Sequence, residues 1–226
     1  MPKVLVVEDE ASIAADLSKL LSLNGWTVET AFNGTDGLQL LRQFSYDLVL
    51  LDWCLPGTTG FDICKQYRAS GGSIPIIFIT GQSDISFKES GLDAGSDDYI
   101  TKPFDERELM ARVRTVMRRP RTIADIQDLQ LGACKLDAKK RTISDGTKSA
   151  QLTALEYNLM EYLVRHKNQS FNTAQLFEAV WLSDTESSEE TVRVHIRVLR
   201  RKLELAGLPP LINHRRGFGY SVSDPV

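Results

Sequence analysis

The sequence predicts two domains in series: an α/β domain built on a doubly wound parallel sheet, (βα)5, followed by a small α+β domain. Three observations carry this expectation. Across residues 1–118, five short apolar runs rich in β-branched residues alternate with five helical stretches, the pattern of a parallel sheet covered on both faces. The segment Arg118 to Gln130 (RRPRTIADIQDLQ) then breaks the alternation with Pro120 and mixed polarity. Beyond it, short alternating runs separated by turn signals precede three helices and a glycine-bearing hairpin.

In chain order, the strand-like runs of the first half are Val4–Val7, Thr27–Ala31, Asp47–Asp52, Ile76–Thr80 and Tyr99–Ile100. Helical stretches fall near residues 11–24, 35–43, 61–69, 84–93 and 105–118. The boundaries read as 1–118 for the first domain, 119–128 for a linker and 129–224 for the second domain. There, Leu129–Leu136, Arg141–Ser144 and Ser149–Leu152, with a turn at Asp145-Gly146, suggest a small antiparallel sheet. Thr153-Ala-Leu-Glu156 is a capping-box pattern that opens a helix running to about His166. A second helix covers roughly 173–181, and Ser187-Ser-Glu-Glu190, another capping-box pattern, opens a third. His214 to Val222 reads as a hairpin. Three helices and a hairpin after a small sheet are the layout of a winged helix-turn-helix.

Composition narrows the class. The 226 residues are 42% hydrophobic and 25% charged, as in soluble globular proteins. No apolar run approaches the ~20 residues of a membrane helix, and Val4–Val7 is too short for a signal-peptide core. Cys54, Cys64 and Cys134 lack metal-ligand spacing and read as reduced thiols in a cytoplasmic protein. The net charge of −3 by itself argues against a nucleic-acid partner. Its distribution does not: positions 193–216 hold seven basic residues and one acid, Glu204, the local stripe that phosphate contacts require.

Ligands of doubly wound sheets bind at the carboxyl ends of the strands. There the sequence places Glu8 and Asp9, Asp52, Thr80, and Lys102, five side chains from four strands. Three neighbouring carboxylates repel one another unless a cation joins them, and oxygen ligands suit Mg²⁺. A carboxylate nucleophile, a metal, a hydroxyl and an ammonium form a set able to make an aspartyl phosphate. An acidic pair after a strand also fits a solvated loop or a favourable helix N-terminal charge; the joint set, in the right order on one edge, is what favours chemistry. Lys102 precedes Pro103, where a cis peptide is accessible.

The motifs VVEDE, LVLLDWCLPG, FITG and DDYITKPF make residues 1–118 resemble the flavodoxin-like receiver domain of bacterial response regulators, and nearly the whole chain resembles the OmpR/PhoB type. The resemblance implies that Glu8, Asp9 and Asp52 bind Mg²⁺, that Asp52 is the phosphoacceptor, that Thr80 and Tyr99 are the switch pair and that Lys102 contacts the phosphate. It implies a sensor histidine kinase as donor, a homodimer when phosphorylated, and double-stranded DNA and RNA polymerase as partners. Lys88, Asp97, Asp98, Glu108, Arg112 and Arg114 stand at positions that form intermolecular ion pairs in that type of receiver. Trp53 and Cys54 depart from the family, which often has an aliphatic residue and a methionine there; Cys54 lies where it can alter the lifetime of the phosphoryl group.

In the second half, Val192, Ile196, Leu199 and Leu203 form an apolar stripe on the third helix. Arg193, Arg197, Arg200 and Arg201 lie off it, an arginine-rich face that fits a major groove. Arg215 and Arg216 precede Gly217-Phe-Gly-Tyr220, where glycines permit close approach to a phosphate backbone. VHIRVLRRKL and RRGFGY resemble the recognition helix and wing of the same family, with Arg197, Arg200 and Arg216 the leading contact candidates. Two departures bear on specificity: Glu190 and Arg193 stand where the family commonly has Arg and Asp, and Val198 sits where a base-reading arginine can occur.

Other chemistries fit less well. A haloacid-dehalogenase-like phosphatase is expected to show Asp-x-Asp, and Asp52 is followed two on by Cys54. No P-loop motif is present, and Gly57-Thr-Thr-Gly60 has the wrong spacing for a dinucleotide site. The remaining rival is a regulator that works unphosphorylated, which an intact acidic set does not favour.

Overall fold

The computed structural model describes residues 1–81, 85–117, 129–181 and 189–223, with the backbone alone at 85–88 and 189. The expected linker 119–128 and the capping residue Ser187 lie outside the described residues. The chain divides into two compact units, Met1–Val113 and Arg114–Val226.

The first unit is built on five parallel strands, β1 (Lys3–Val7), β2 (Thr27–Ala31), β3 (Leu48–Asp52), β4 (Ile76–Thr80) and β5 (Asp98–Thr101). They lie in the order β2-β1-β3-β4-β5. β3 and β4 are buried at every position, as is all of β1 but Lys3, because helices cover both faces; that is why these strands read as unbroken apolar runs. The helices are α1 (Ala11–Leu23), α2 (Gly34–Gln43), α3 (Gly60–Ala69), α4 (Ile85–Asp93) and α5 (Glu106–Val116). Asn33 and Thr59 cap α2 and α3, each side chain accepting the N–H three residues on. Strand order reverses between β1 and β3, so the crevice at their carboxyl ends is the natural ligand site.

The second unit opens with a four-stranded antiparallel sheet: β6 (Leu129–Leu131), β7 (Cys134–Asp137), β8 (Thr142–Ser144) and β9 (Ser149–Gln151). The single run expected over Leu129–Leu136 is two strands. Gly132, at φ +58°, turns the chain back so that Leu131 pairs with Cys134. Three helices follow, α6 (Ala154–Arg165), α7 (Thr173–Trp181) and α8 (Glu189–Leu205). Thr153 and Glu156 form the expected capping box at α6. The hairpin β10 (Ile212–Arg215) and β11 (Gly219–Val222) closes the unit. It is tied to the segment before α7 by paired backbone bonds between Phe171 and Tyr220, 2.9 and 2.8 Å long. Gly219 makes this approach feasible: at φ +102°, a Cβ here would sit 2.0 Å from the Phe171 carbonyl oxygen.

Candidate functional site

At the carboxyl edge of the parallel sheet, Glu8 and Asp9 directly follow β1 and the adjacent β3 ends in Asp52. One carboxylate oxygen from each lies within 4.8 Å of the others. Glu8 and Asp52 are 1% and 5% exposed, whereas Asp9 is open to solvent. Lys102, delivered by β5 and followed by a cis peptide to Pro103, reaches back across the sheet. Its Nζ donates to Asp52 Oδ2 at 2.6 Å and to Glu8 Oε1 at 2.8 Å. Thr80 is buried at the end of β4, and its carbonyl accepts the Lys102 backbone N–H at 2.7 Å. All five strand-end residues named from the sequence therefore gather at one edge.

Two neighbours shape the surroundings of Asp52 beyond what the sequence marked. The backbone N–H of Cys54 donates to Asp52 Oδ1 at 2.8 Å, fixing one oxygen and leaving the other to Lys102. Gly60 lets the first turn of α3 back onto Asp52, since a Cβ there would lie 1.9 Å from the Asp52 carbonyl oxygen. A backbone donor carries no residue signature, and Gly60 could be read only as part of a loop. Cys54 is exposed, and Trp53 packs its indole on Phe61 and Phe78 at centroid distances of 5.4 and 4.9 Å.

The electrostatics are those of an acid-rich pocket. Burial raises the Glu8 pKa to about 6, with Lys102 opposing the shift and Asp52 adding to it. For Lys102, burial favours the neutral amine, but its bonds to Asp52 and Glu8 outweigh burial and the pKa rises. Three carboxylates face one ammonium, and no hydrogen-bond partner reaches the buried Glu8 Oε2 among the described residues. An all-oxygen donor set with surplus negative charge and an orphaned carboxylate oxygen fits a hard divalent cation.

Several of the charged residues named along 88–114 are paired within the chain. Asp97 is 1% exposed and binds Arg68 at 2.9 Å as well as the Ile76 N–H. Asp98, 0% exposed, is held by both its oxygens on Arg112 Nη1, and Arg112 also grips Glu108. Burial alone would favour a neutral Arg112, yet Asp98 and Glu108 outweigh it and raise the pKa. Asp97, Asp98 and Arg112 are thus buried and paired within the chain; the two aspartates take their partners from other elements, which local charge pattern does not reveal, whereas Glu108 stands one turn before Arg112 on α5. Arg114 is exposed and Glu108 partly so; the Lys88 side chain lies outside the described residues. Tyr99, named with Thr80 as the switch pair, is buried like Thr80, its ring centroid 5.9 Å from the Arg112 guanidinium.

In the second unit the apolar stripe is buried as expected, and the buried face of α8 extends to Val194, His195 and Val198. Val198, 4% exposed, belongs to the core, which removes it from any base-reading position. Arg193, Arg197 and Arg201 are exposed. Arg200, a leading contact candidate, turns inward: its Nη2 donates to the Ile212 carbonyl at 2.9 Å and its guanidinium lies 5.7 Å from the Tyr220 ring. Glu190 and Arg193 pair at 3.1 Å, so the reversed sign order preserves the ion pair. A groove lined by Arg193, Ile196, Arg197, Arg200, Arg201, Glu204 and Tyr220 runs along this face. Arg215 and Arg216 are exposed on the hairpin, and Arg215 lies over Phe218 at 4.2 Å.

Residues 4–114 match the response regulator receiver domain family, and residues 147–222 match the family of transcriptional regulatory protein C-terminal domains. The response regulator MprA of Mycobacterium ulcerans (strain Agy99) is 35% identical over 222 residues, covering 96% of each chain. MprA of Mycobacterium tuberculosis (strain ATCC 25618 / H37Rv) is 34% identical over 220 residues, again covering 96% of each. Among solved structures, the C128D mutant of RitR superposes with a TM-score of 0.78 at 26% identity over all of both chains. The Thermotoga maritima OmpR/PhoB homologue DrrB gives 0.53 at 28% identity over 99% of both. No helix among the described residues is long and apolar enough to cross a membrane. Similarity that runs through both domains, with curated relatives matched almost end to end, places this chain in the OmpR/PhoB-type response regulators, which join a receiver domain to a DNA-binding transcriptional regulatory domain.

Proposed function

We propose that Asp52 accepts a phosphoryl group from a sensor histidine kinase, and that phosphorylation promotes receiver dimerisation and sequence-specific binding to double-stranded DNA. The observation that carries the reading is the placement of Lys102 Nζ between Asp52 and Glu8, at 2.6 and 2.8 Å, with Asp9 completing the acidic set. Glu8, Asp9 and Asp52 would hold Mg²⁺, which when bound supplies positive charge to the transferring phosphoryl group. Asp52 Oδ2, the oxygen on Lys102, attacks phosphorus; a new P–O bond forms as the P–N bond to the donor imidazole breaks, and the electron pair of that bond stays with the imidazole, which leaves neutral because its other ring nitrogen already carries a proton. Lys102 balances charge on the phosphoryl oxygens, and the Cys54 N–H holds the other Asp52 oxygen.

Downstream, Thr80 and Tyr99 act as the switch pair, with phosphorylation holding them in the inward arrangement and biasing the receiver toward its dimerising state. Residues 1–118 form the receiver, 119–128 the linker and 129–224 the DNA-binding domain. Arg193, Arg197, Arg201, Arg215 and Arg216 face the DNA, with Arg200 bracing the helix against the hairpin. The protein works in the cytoplasm as a regulator with RNA polymerase as a further partner, and not as an enzyme on a separate substrate. Incubation with Mg²⁺ and acetyl phosphate tests the core of this reading. Intact-mass analysis is expected to show one phosphoryl group on the wild type and none on Asp52→Asn; a wild type that stays unmodified would support a regulator working unphosphorylated.

A further inference from the structure

The outward face of α8 is narrower than its arginine content. Arg193, Arg197 and Arg201 are exposed, Val194 and Val198 are buried, and Arg200 is held on the Ile212 carbonyl. The exposed three recur every four residues and form one row on the helix. Helical rise sets successive members about 6 Å apart, close to two base-pair steps of roughly 3.4 Å. An arginine fork matches O6 and N7 of guanine in the major groove, the commonest specific contact. Recognition helices read bases with their N-terminal residues, and the C-terminal half of α8 is the part tied to the hairpin through Arg200. Glu190 orients the first member of the row, pairing with Arg193 at 3.1 Å.

We propose that Arg193 and Arg197 each read one guanine, at base pairs two steps apart, so that the preferred half-site carries guanines separated by a single base pair, while Arg201 grips phosphate. This rests on the DNA-binding reading and gives it a sequence. Selection from random duplex DNA with the full-length protein, treated with Mg²⁺ and acetyl phosphate, tests it. The enriched motif is expected to hold the two guanines at that spacing. Arg197→Ala should lower the preference for one guanine roughly tenfold or more and leave the other, with Arg193→Ala doing the converse. Arg201→Ala should weaken all sequences alike and reduce the salt slope by about one. An enriched motif without the spaced guanines, or Arg193 and Arg197 variants that lose affinity evenly, would overturn the inference alone. Failure to enrich any sequence would overturn it together with the DNA-binding reading.

Discussion

Glu8→Gln separates the cost of the acidic pocket from its use. Glu8 is 1% exposed and its pKa stands at about 6 against an ordinary 4.5, with burial the main cause. Between those values the folded protein binds more protons than the unfolded chain, so stability falls as pH rises through that window. Each unit is worth about 1.4 kcal/mol, so ionised Glu8 costs about 2 kcal/mol at pH 7.5, net of its attraction to Lys102. The neutral isostere removes that cost. Without divalent metal, Glu8→Gln should therefore be more stable than wild type at pH 7.5 by up to about 2 kcal/mol, and the advantage should vanish near pH 4. Adding Mg²⁺ should stabilise the wild type and leave the variant nearly unchanged. Denaturant unfolding, with the receiver transition identified by its Mg²⁺ response in the wild type, measures both effects. A variant less stable than wild type at pH 7.5 without metal, by a margin that does not change toward pH 4, would refute the reasoning.

Three further outcomes follow from particular contacts. Arg112→Ala leaves Asp98, 0% exposed, without its bidentate partner; a loss of roughly 3–5 kcal/mol in chemical denaturation is expected, much reduced in the Asp98→Asn, Arg112→Met double variant. Gly219→Ala must place a Cβ 2.0 Å from the Phe171 carbonyl at φ +102°. Left-handed backbone alone costs about 1–2 kcal/mol, so gel-shift affinity for DNA should fall while phosphorylation of Asp52 by acetyl phosphate stays normal. Cys54→Met puts a bulkier side chain at an exposed position beside Asp52, the proposed phosphoacceptor. It should shield the acyl phosphate from water and lengthen its lifetime, and equal decay rates in the two proteins would show that residue 54 does not set it.

The strand–helix alternation, the placing of Glu8, Asp9, Asp52, Thr80 and Lys102 at strand ends, and the α6 capping box were legible along the chain, because each is written in a few adjacent residues. Alternation of apolar runs is local, and a parallel sheet carries all its strand ends to one edge whatever the details of packing. Which charges reach the surface depended on packing between elements far apart in the chain. Asp97 and Asp98 look like solvated acids, yet Arg68 lies 29 residues from Asp97 and Arg112 lies 14 from Asp98, and burial with a distant partner leaves no mark on local pattern. The same holds in the second unit. Arg200 was one arginine among four until Ile212 and Tyr220 claimed it, and Val198 joined the core because the buried face of α8 is wider than a four-residue stripe. Periodicity reports that a helix has a buried side; the width of that side is set by how many neighbours pack around it.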